Sequence, residues 1–284
     1  MKYKAIIIFF MMFTLSACGI TQWKNDIEIK KSSYSEKTVD ARGKYNFDIS
    51  CDMANISIYT WKKDEIKFEM ATKLNGKFKK ELMDKKPGNF DIDIKTDDNT
   101  VLLKSIYKKG NSDNINAVAE YTIYMPKSID NMNFKVDNGR IKLLDDFRGT
   151  LNAELDNTDI EINRFDGVLN ISGDKGNVKV SGGKLSGGSK VIKKEGNISI
   201  KSEFDLNGEY DIYTSVGHID LMIPADAKMD FETVGELVKN EFLKNVHEVT
   251  MAGGEFKQRY GKYDDKPAKV RIKSDLGKIS IGKY

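Results

Sequence analysis

Side chains suited to nucleophilic, acid–base or soft-metal chemistry are scarce in this 284-residue chain. There are two cysteines, Cys18 and Cys51, and two histidines, His218 and His247. The Gly-x-Ser-x-Gly motif of a nucleophilic serine is absent from the sequence, and two histidines supply a conventional zinc site poorly. We therefore expect no catalytic residue, no metal site and no cofactor, and we predict that the protein is not an enzyme.

Carboxylates provide the strongest argument for the alternative. Asp137, Asp156 and Asp174 recur at nearly matching turn positions, and Asp145 and Asp146 lie close to them. A glycosidase needs two carboxyl groups roughly 5–10 Å apart, so a carbohydrate-active enzyme is an alternative function. Aspartates in turns commonly accept hydrogen bonds from nearby backbone amides, and we favour that structural role here.

The N-terminus has the layout of a secretory signal. Two lysines precede the apolar run Ala5–Leu15, and the small residues Ser16 and Ala17 stand directly before Cys18. This order of charge, apolar core and small residues is typical of a signal peptide. The run is too short for a membrane-spanning helix, which needs about 20 residues. An ordinary signal peptide followed by a chance cysteine is the alternative interpretation.

The segment Leu15-Ser16-Ala17-Cys18 resembles the lipobox of bacterial lipoproteins. The resemblance implies that Leu15, Ser16 and Ala17 form the recognition signal and that the Cys18 thiol receives a diacylglycerol. The chain would then be cut before Cys18, and the new amino group is often acylated, with palmitate as a typical chain. Two or three acyl chains anchor a protein stably. The expected location is the cell membrane or envelope, facing outside the cytoplasm.

The charge balance argues against nucleic acid as a partner. The chain has 46 basic and 43 acidic residues, a net charge of +3, and removal of residues 1–17 takes away two lysines and no acids. Nucleic-acid binding normally requires a basic stripe, which this balance does not favour. With Cys18 lipidated, Cys51 is the remaining thiol, so an internal disulfide is excluded. We expect Cys51 to be buried, as free cysteines usually are.

A repeat organises the second half of the chain. Apolar residues at alternate positions flank successive turns that are 18 to 21 residues apart, at Gly139, Thr158, Gly176, Gly196 and Gly217. Asp275-Leu276-Gly277 closes the series, a weaker copy lies at Gly235, and an outlying copy is placed upstream at Ala54-Asn55. Alternation indicates strands with one buried face, and units this small must stack to build a core.

The fixed period predicts an all-β fold: a right-handed β-solenoid or β-helix-like body with a less regular N-terminal β cap. A β-sandwich of hairpins is the alternative, because Asn-Gly between alternating strands is also a strong hairpin signal. We assign residues 1–17 to the signal peptide, 18–33 to the lipidated cysteine and tether, and 34–284 to the β domain. Within that domain, 34–130 is the less regular part and 131–284 holds the repeats. Lys77–Lys86 is predicted as a short helix and Lys108–Ala117 as an exposed loop.

Several segments together resemble the bacterial "putative adhesin" domain of unknown function. The segments are Ile56-Ser57-Ile58-Tyr59-Thr60-Trp61, Asp64-Glu65-Ile66-Lys67-Phe68, Tyr121-Thr122-Ile123-Tyr124-Met125-Pro126-Lys127, Gly217-His218-Ile219-Asp220-Leu221-Met222-Ile223-Pro224 and the closing Ser274–Ile281. The resemblance covers roughly residues 35–284 by repeat layout. It implies a β-solenoid-like body and no catalytic residues.

We therefore expect a lipid-anchored envelope protein that serves as a non-enzymatic, adhesion-like binding or scaffold module. Its partners would be the membrane, through the lipid, and a glycan, cell-wall or protein ligand. A component of envelope-stress signalling is a further alternative. A sugar- or peptide-binding surface could be formed by aromatic residues, although packing is their more usual role. The aromatic candidates are Tyr59, Trp61, Tyr107, Tyr121, Tyr124, Tyr260 and Tyr263.

Overall fold

A computed structural model describes residues 26–79, 88–110, 115–241, 246–252, 255–260 and 266–284. The predicted all-β class is confirmed, since these residues form strands and no helix. The strands are β1 (Asp26–Asp40), β2 (Asn46–Trp61), β3 (Glu65–Lys79), β4 (Asn89–Asp97), β5 (Thr100–Lys108), β6 (Ile115–Pro126), β7 (Asn131–Lys175), β8 (Val178–Val180), β9 (Gly183–Leu185), β10 (Lys190–Glu195), β11 (Ile198–Lys201), β12 (Glu203–Phe204), β13 (Glu209–Val216), β14 (Ile219–Ile223), β15 (Met229–Asn240), β16 (Val246–Ala252), β17 (Glu255–Tyr260) and β18 (Ala268–Lys283).

Parallel pairing closes seven strands into a ring, a parallel β-barrel with the other strands outside it. The order around the ring is β7-β10-β13-β18-β14-β11-β8, and β8 pairs with β7 again. The ring closes because different stretches of the two long strands pair with different neighbours. In β18, residues 269–276 pair with β13 and residues 279–283 pair with β14.

The pairing register follows the period of the sequence repeat. One ladder of directly paired residues consists of Ile160, Val178, Ile198, Ile219 and Ile279. Each is at most 1% exposed. A strand points successive side chains to opposite faces, so alternating apolar residues in each repeat all reach the same interior. The repeats therefore contribute equivalent rungs to one continuous core.

Strands on the two sides of a turn do not pair with each other. β10 and β11 flank Gly196, yet β10 pairs with β7 and β13, and β11 pairs with β8 and β14. All these pairings are parallel and join different repeats. The hairpins of the sandwich alternative are therefore not formed at this turn.

Glycine at these turns is required by the close approach of the neighbouring backbone. A Cβ atom on Gly217 would lie 2.1 Å from the carbonyl oxygen of Gly196, and one on Gly196 would lie 2.1 Å from that of Gly176. Both turn glycines also have positive φ angles, 151° and 146°. The column of glycines thus allows successive turns to stack without side chains between them.

The outlying upstream copy of the repeat stacks on the downstream repeats, as its pattern predicts. β2 pairs in parallel with β7, with Phe47 opposite Met132 and Ile56 opposite Ile141. Ala54 pairs with Gly139 in the same register. A turn 85 residues earlier in the chain therefore occupies the next position in the same column.

The N-terminal part adds antiparallel strands to this core. β3 pairs in antiparallel fashion with β1 and β6, and β4 does so with β5. The predicted helix Lys77–Lys86 is wrong at its start, because β3 runs to Lys79 and its last three residues pair with β1; residues 80–87 lie outside the described part. β1 begins at Asp26, within the segment assigned to the tether.

Cys51 lies in the apolar core that the described residues form, buried as predicted. It is 2% exposed and pairs with Val136 of β7. Burial raises the pKa of its thiol to about 12, with the negative charges of Asp52 and Asp137 adding to the rise. At neutral pH the thiol is therefore protonated and acts as a small apolar side chain.

Candidate functional site

Three aromatic side chains form a group on the outer face of β2 and β6, in which two of the rings stack on the third. Tyr59 lies directly opposite Tyr124 in the parallel register. Their ring centroids are 5.4 Å apart with an interplanar angle of 19°. The indole of Trp61 stacks on Tyr124 at 5.5 Å and 27°. We call Tyr59, Trp61 and Tyr124 the aromatic surface.

Strand alternation explains why these rings face outward. Ile58 of β2 and Ile123 of β6 point into the core and are fully buried. Their sequence neighbours must then point to the opposite face. There the three rings are half-buried rather than enclosed. The core does not require them, and they remain accessible at the protein surface.

The indole of Trp61 is held in place by a hydrogen bond and a cation–π contact. Its Nε1 donates a hydrogen bond of 2.7 Å to the backbone oxygen of Glu65. The ammonium of Lys63 lies 4.7 Å from the ring centroid, in a cation–π contact, and pairs with the Glu65 carboxylate at 3.4 Å. The Lys63 side chain is 67% exposed. The orientation of the indole is therefore fixed, whereas its covering lysine is largely in solvent.

A compensated lysine borders the aromatic surface on the β3 side. Lys67 lies opposite Tyr124 in the antiparallel register and pairs with Glu69 at 2.7 Å and with Glu36 at 3.2 Å. The hydrogen bond to Glu69, followed by that to Glu36, raises the pKa of Lys67. With two carboxylates around one ammonium, this border carries no uncompensated positive charge.

The structure places the other aromatic candidates elsewhere. Tyr121 is 2% exposed in the core, and Tyr107 packs against Phe90 with ring centroids 5.2 Å apart. Tyr260 ends strand β17, and Tyr263 lies outside the described residues. Packing is therefore the role of Tyr107 and Tyr121, whereas Tyr59, Trp61 and Tyr124 come together at the surface.

The aspartates of the repeat turns differ in their surroundings. Asp174 pairs with Lys194 at 2.6 Å, and this hydrogen bond lowers the pKa of its carboxyl. The pKa of Asp137 is raised, first by desolvation and then by the negative charges of Asp52 and Asp156. Of the aspartates considered in the sequence analysis, Asp145 accepts a backbone amide, from the N–H of Thr60 to its Oδ2 at 2.7 Å. A further aspartate, Asp159, accepts the backbone N–H of Asn177, 18 residues later, at 2.8 Å.

His218 has a structural partner in the stack. Its Nδ1 accepts the backbone N–H of Lys278 at 3.0 Å, and its own backbone N–H donates to Asn197 Oδ1 at 2.8 Å. These bonds join successive turns, and the neutral imidazole must carry its proton on Nε2. His247 belongs to strand β16.

The predicted lipidation site lies outside the described residues. This applies to Cys18 and to its recognition residues Leu15, Ser16 and Ala17. Among the described segments, no cluster of three or more His, Cys, Asp or Glu side chains is arranged to hold a metal ion. The same segments contain no helix long and apolar enough to cross a bilayer.

One buried lysine was not predicted from the sequence. Lys193 of β10 is fully buried, and its Nζ donates to the backbone oxygens of Leu155 and Lys175, each at 2.9 Å. Its direct partner in β7 is Gly173, which has no side chain. Burial lowers the pKa of Lys193 to about 8. Alternation with the buried Val191 was the available signal for its inward direction.

No family model and no curated protein matches this chain. Among solved structures, it is similar to a "putative adhesin" from Bacteroides fragilis at 12% identity and a TM-score of 0.45, over 89% of this chain and 97% of that one. It is also similar to a "putative cell adhesion protein" from Clostridium sporogenes at 15% identity and a TM-score of 0.35, over 89% and 100%. A "putative lipid binding protein" from Parabacteroides distasonis matches at 12% identity and a TM-score of 0.34, over 89% and 97%. Likenesses this distant do not assign the chain to a family.

Proposed function

We propose that this chain is a lipid-anchored protein of the bacterial cell envelope whose β domain is a non-enzymatic binding module. The aromatic surface is the observation that carries the binding role. Tyr59 and Trp61 both stack on Tyr124, on a face that the core does not use. Clustered, orientated tyrosine and tryptophan rings offer a large contact area at a small cost in conformational entropy.

The parallel ladders support a solenoid as the scaffold of this module. Equivalent core residues follow one another at steps of about one repeat, as in Val178, Ile198 and Ile219. A chain that makes one coil per repeat produces this register, and crossovers between parallel strands are right-handed in nearly all proteins. We therefore propose a right-handed solenoid, with the strands of 34–130 covering one end of the stack. Such a body presents a long regular face to an extended partner.

The sequence around Cys18 supports the anchor. An apolar run too short to span a membrane ends in small residues at a cysteine, which is the arrangement that lipoproteins use. A chain carrying two or three acyl groups at that position would stay on the membrane with its β domain outside the cytoplasm.

A labelling experiment tests the anchor. Cells that produce the full chain are grown with radiolabelled palmitate, and wild type is compared with Cys18→Ser and with Cys51→Ser as the matched control. We expect label and membrane recovery for wild type and Cys51→Ser, and neither for Cys18→Ser. Label that persists in Cys18→Ser, or an unlabelled wild-type protein, would contradict lipidation at Cys18.

A retention experiment tests the binding role. The full chain in detergent micelles is immobilised and offered purified cell-wall polymers, glycans and envelope proteins at low and high salt. We expect retention that survives high salt, because exposed charges alone are screened under that condition. Retention should weaken at least fivefold in Tyr124→Ala. Retention that disappears with salt, or that is unchanged in Tyr124→Ala, argues against the aromatic surface as the binding site.

A further inference from the structure

We propose that the aromatic surface binds an uncharged saccharide chain, with a sugar ring stacked on the outer face of the Trp61 indole. This inference rests on the proposed function and gives the chemical class of its ligand. It is carried by three features of the site: the orientation of the rings, the compensation of nearby charge and the exposed lysine above Trp61.

The rings form a rigid apolar base of limited size. Trp61 is fixed by its hydrogen bond to the Glu65 backbone oxygen and by stacking on Tyr124, which in turn stacks on Tyr59. An indole held in this way can accept the C–H face of a pyranose ring without losing further side-chain freedom. Tyr124 already occupies one face of the indole, and we infer that the other face is the one that Lys63 covers.

Hydroxyl and carboxylate groups lie beside the rings on the same face. Ser57, Thr122 and Glu69 form the adjoining row of directly paired residues across β2, β6 and β3. Each stands two residues from a member of the row that contains Tyr59, Tyr124 and Lys67, so both rows point outward. Such groups can donate to and accept from sugar hydroxyls, which fixes the orientation of a ligand in a mainly apolar site.

The charges around the surface favour an uncharged ligand. Lys67 is compensated by Glu36 and Glu69, and Lys63 by Glu65. An anionic polymer would have to compete with these carboxylates for each ammonium, and it would meet their negative charge as well. A neutral, hydroxyl-rich chain does not meet this competition or repulsion, because it binds through hydrogen bonds with polar groups rather than through an unpaired charge.

Replacement of Lys63 should affect neutral and anionic ligands in opposite directions. Its ammonium lies over the indole with an exposed side chain, and cation–π contacts at exposed sites are weak. A stacked sugar must displace it. We therefore expect Lys63→Ala to bind a neutral saccharide two- to fivefold more tightly than wild type, whereas an anionic ligand would bind the variant more weakly.

Tryptophan fluorescence tests the proposal directly. Trp23 and Trp61 are the two tryptophans of the chain, so Trp23→Phe leaves Trp61 as the reporter. The full chain in micelles is titrated with hexamers of N-acetylglucosamine, glucose in β-1,4 linkage and glucose in α-1,4 linkage. A galacturonate hexamer is the anionic comparison. We expect a saturable shift of the Trp61 emission with at least one neutral hexamer and a weaker response, or none, to galacturonate.

Matched variants decide the outcome. Tyr124→Ala should weaken the neutral hexamer at least tenfold, whereas Tyr45→Ala, which removes an exposed tyrosine outside the stack, should leave it unchanged. Circular dichroism confirms that each variant is folded. No shift with any neutral hexamer, a response to galacturonate alone, or tightening absent in a folded Lys63→Ala would overturn the proposal. If polymer retention still depends on Tyr124 while these titrations fail, the binding module stands and the saccharide assignment alone is wrong.

Discussion

The ammonium nitrogen of Lys193 lies 2.9 Å from the carbonyl oxygen of Leu155, a residue 38 positions earlier in the chain. The same nitrogen donates to the carbonyl oxygen of Lys175 at an equal distance. Gly173 is directly paired with Lys193, and a Cβ atom on Gly173 would collide with the same Leu155 oxygen. A charge in the interior is thus bound by two backbone oxygens of β7.

This arrangement predicts an unusual dependence of stability on pH. The pKa of Lys193 is about 8 in the folded protein, because burial disfavours the charged form, and about 10.4 in the unfolded chain. Between these values the unfolded state binds more protons, so the free energy of unfolding rises as pH increases from 8 to 10. The gain attributable to this lysine is at most about 3 kcal/mol. The neutral amine still has two hydrogens for its two carbonyl partners.

Lys193→Met is the control for that measurement, since it retains a long side chain without the charge. We expect the difference in unfolding free energy between wild type and variant, from denaturant titrations at pH 7 and 9.5, to move in favour of wild type at the higher pH. A difference that is constant with pH would show that the lysine titrates normally in the folded protein.

The stacked turns predict a severe effect of a single methyl group. Gly217→Ala would place a Cβ atom 2.1 Å from the carbonyl oxygen of Gly196, so one of the two turns must shift. We expect a loss of about 3 kcal/mol or more in the free energy of unfolding, measured with urea. Gly43→Ala is the matched control, because Gly43 also has a positive φ but nothing lies within 4 Å of the added atom. It should lose about 1 kcal/mol. Equal losses would disprove the steric explanation.

A ladder of asparagine side chains predicts a smaller, local effect. Asn152 Nδ2 donates to Asn133 Oδ1 at 2.9 Å, and Asn170 Nδ2 donates to Asn152 Oδ1 at 3.0 Å. Asn152→Ala removes both bonds at an exposed position, so we expect a loss of about 1 kcal/mol in unfolding free energy. Asn116→Ala serves as the comparison, since this exposed residue has no side-chain hydrogen bond within the described part of the chain. A similar loss at both positions would mean that the ladder adds nothing.

The environment of Cys51 predicts the thiol chemistry of the purified protein. Its pKa of about 12 and its burial leave almost no accessible thiolate at pH 8. If Cys18 is lipidated, the native full chain should not react with a disulfide reagent, and one thiol should appear in guanidinium chloride. Cys51→Ser should then show none in either condition. Rapid reaction of the native wild type would contradict burial of Cys51 or lipidation of Cys18.

Much of the repeat could be predicted because its determinants are local. The alternation within their own strand predicts that Ile198 and Ile200 point inward. The period of the repeat predicts which residues of successive repeats pair in one ladder. The helix predicted at Lys77–Lys86 failed at its start for the opposite reason. That segment has a polar composition compatible with a helix, but pairing with residues 26–28 of β1, which lie far upstream in the sequence, keeps β3 extended to Lys79.

The amino-acid sequence by itself determined the export and lipidation signal that we infer, the all-β class, the spacing of the turns and the inward direction of alternate residues. Each depends on neighbours within a few positions or on a fixed period. Only the tertiary structure decided that Tyr59 meets Tyr124, 65 residues later, and that Lys193 can be buried. Both outcomes depend on which strands pair and in what register, and strand pairing is set by the packing of the whole chain rather than by local preference.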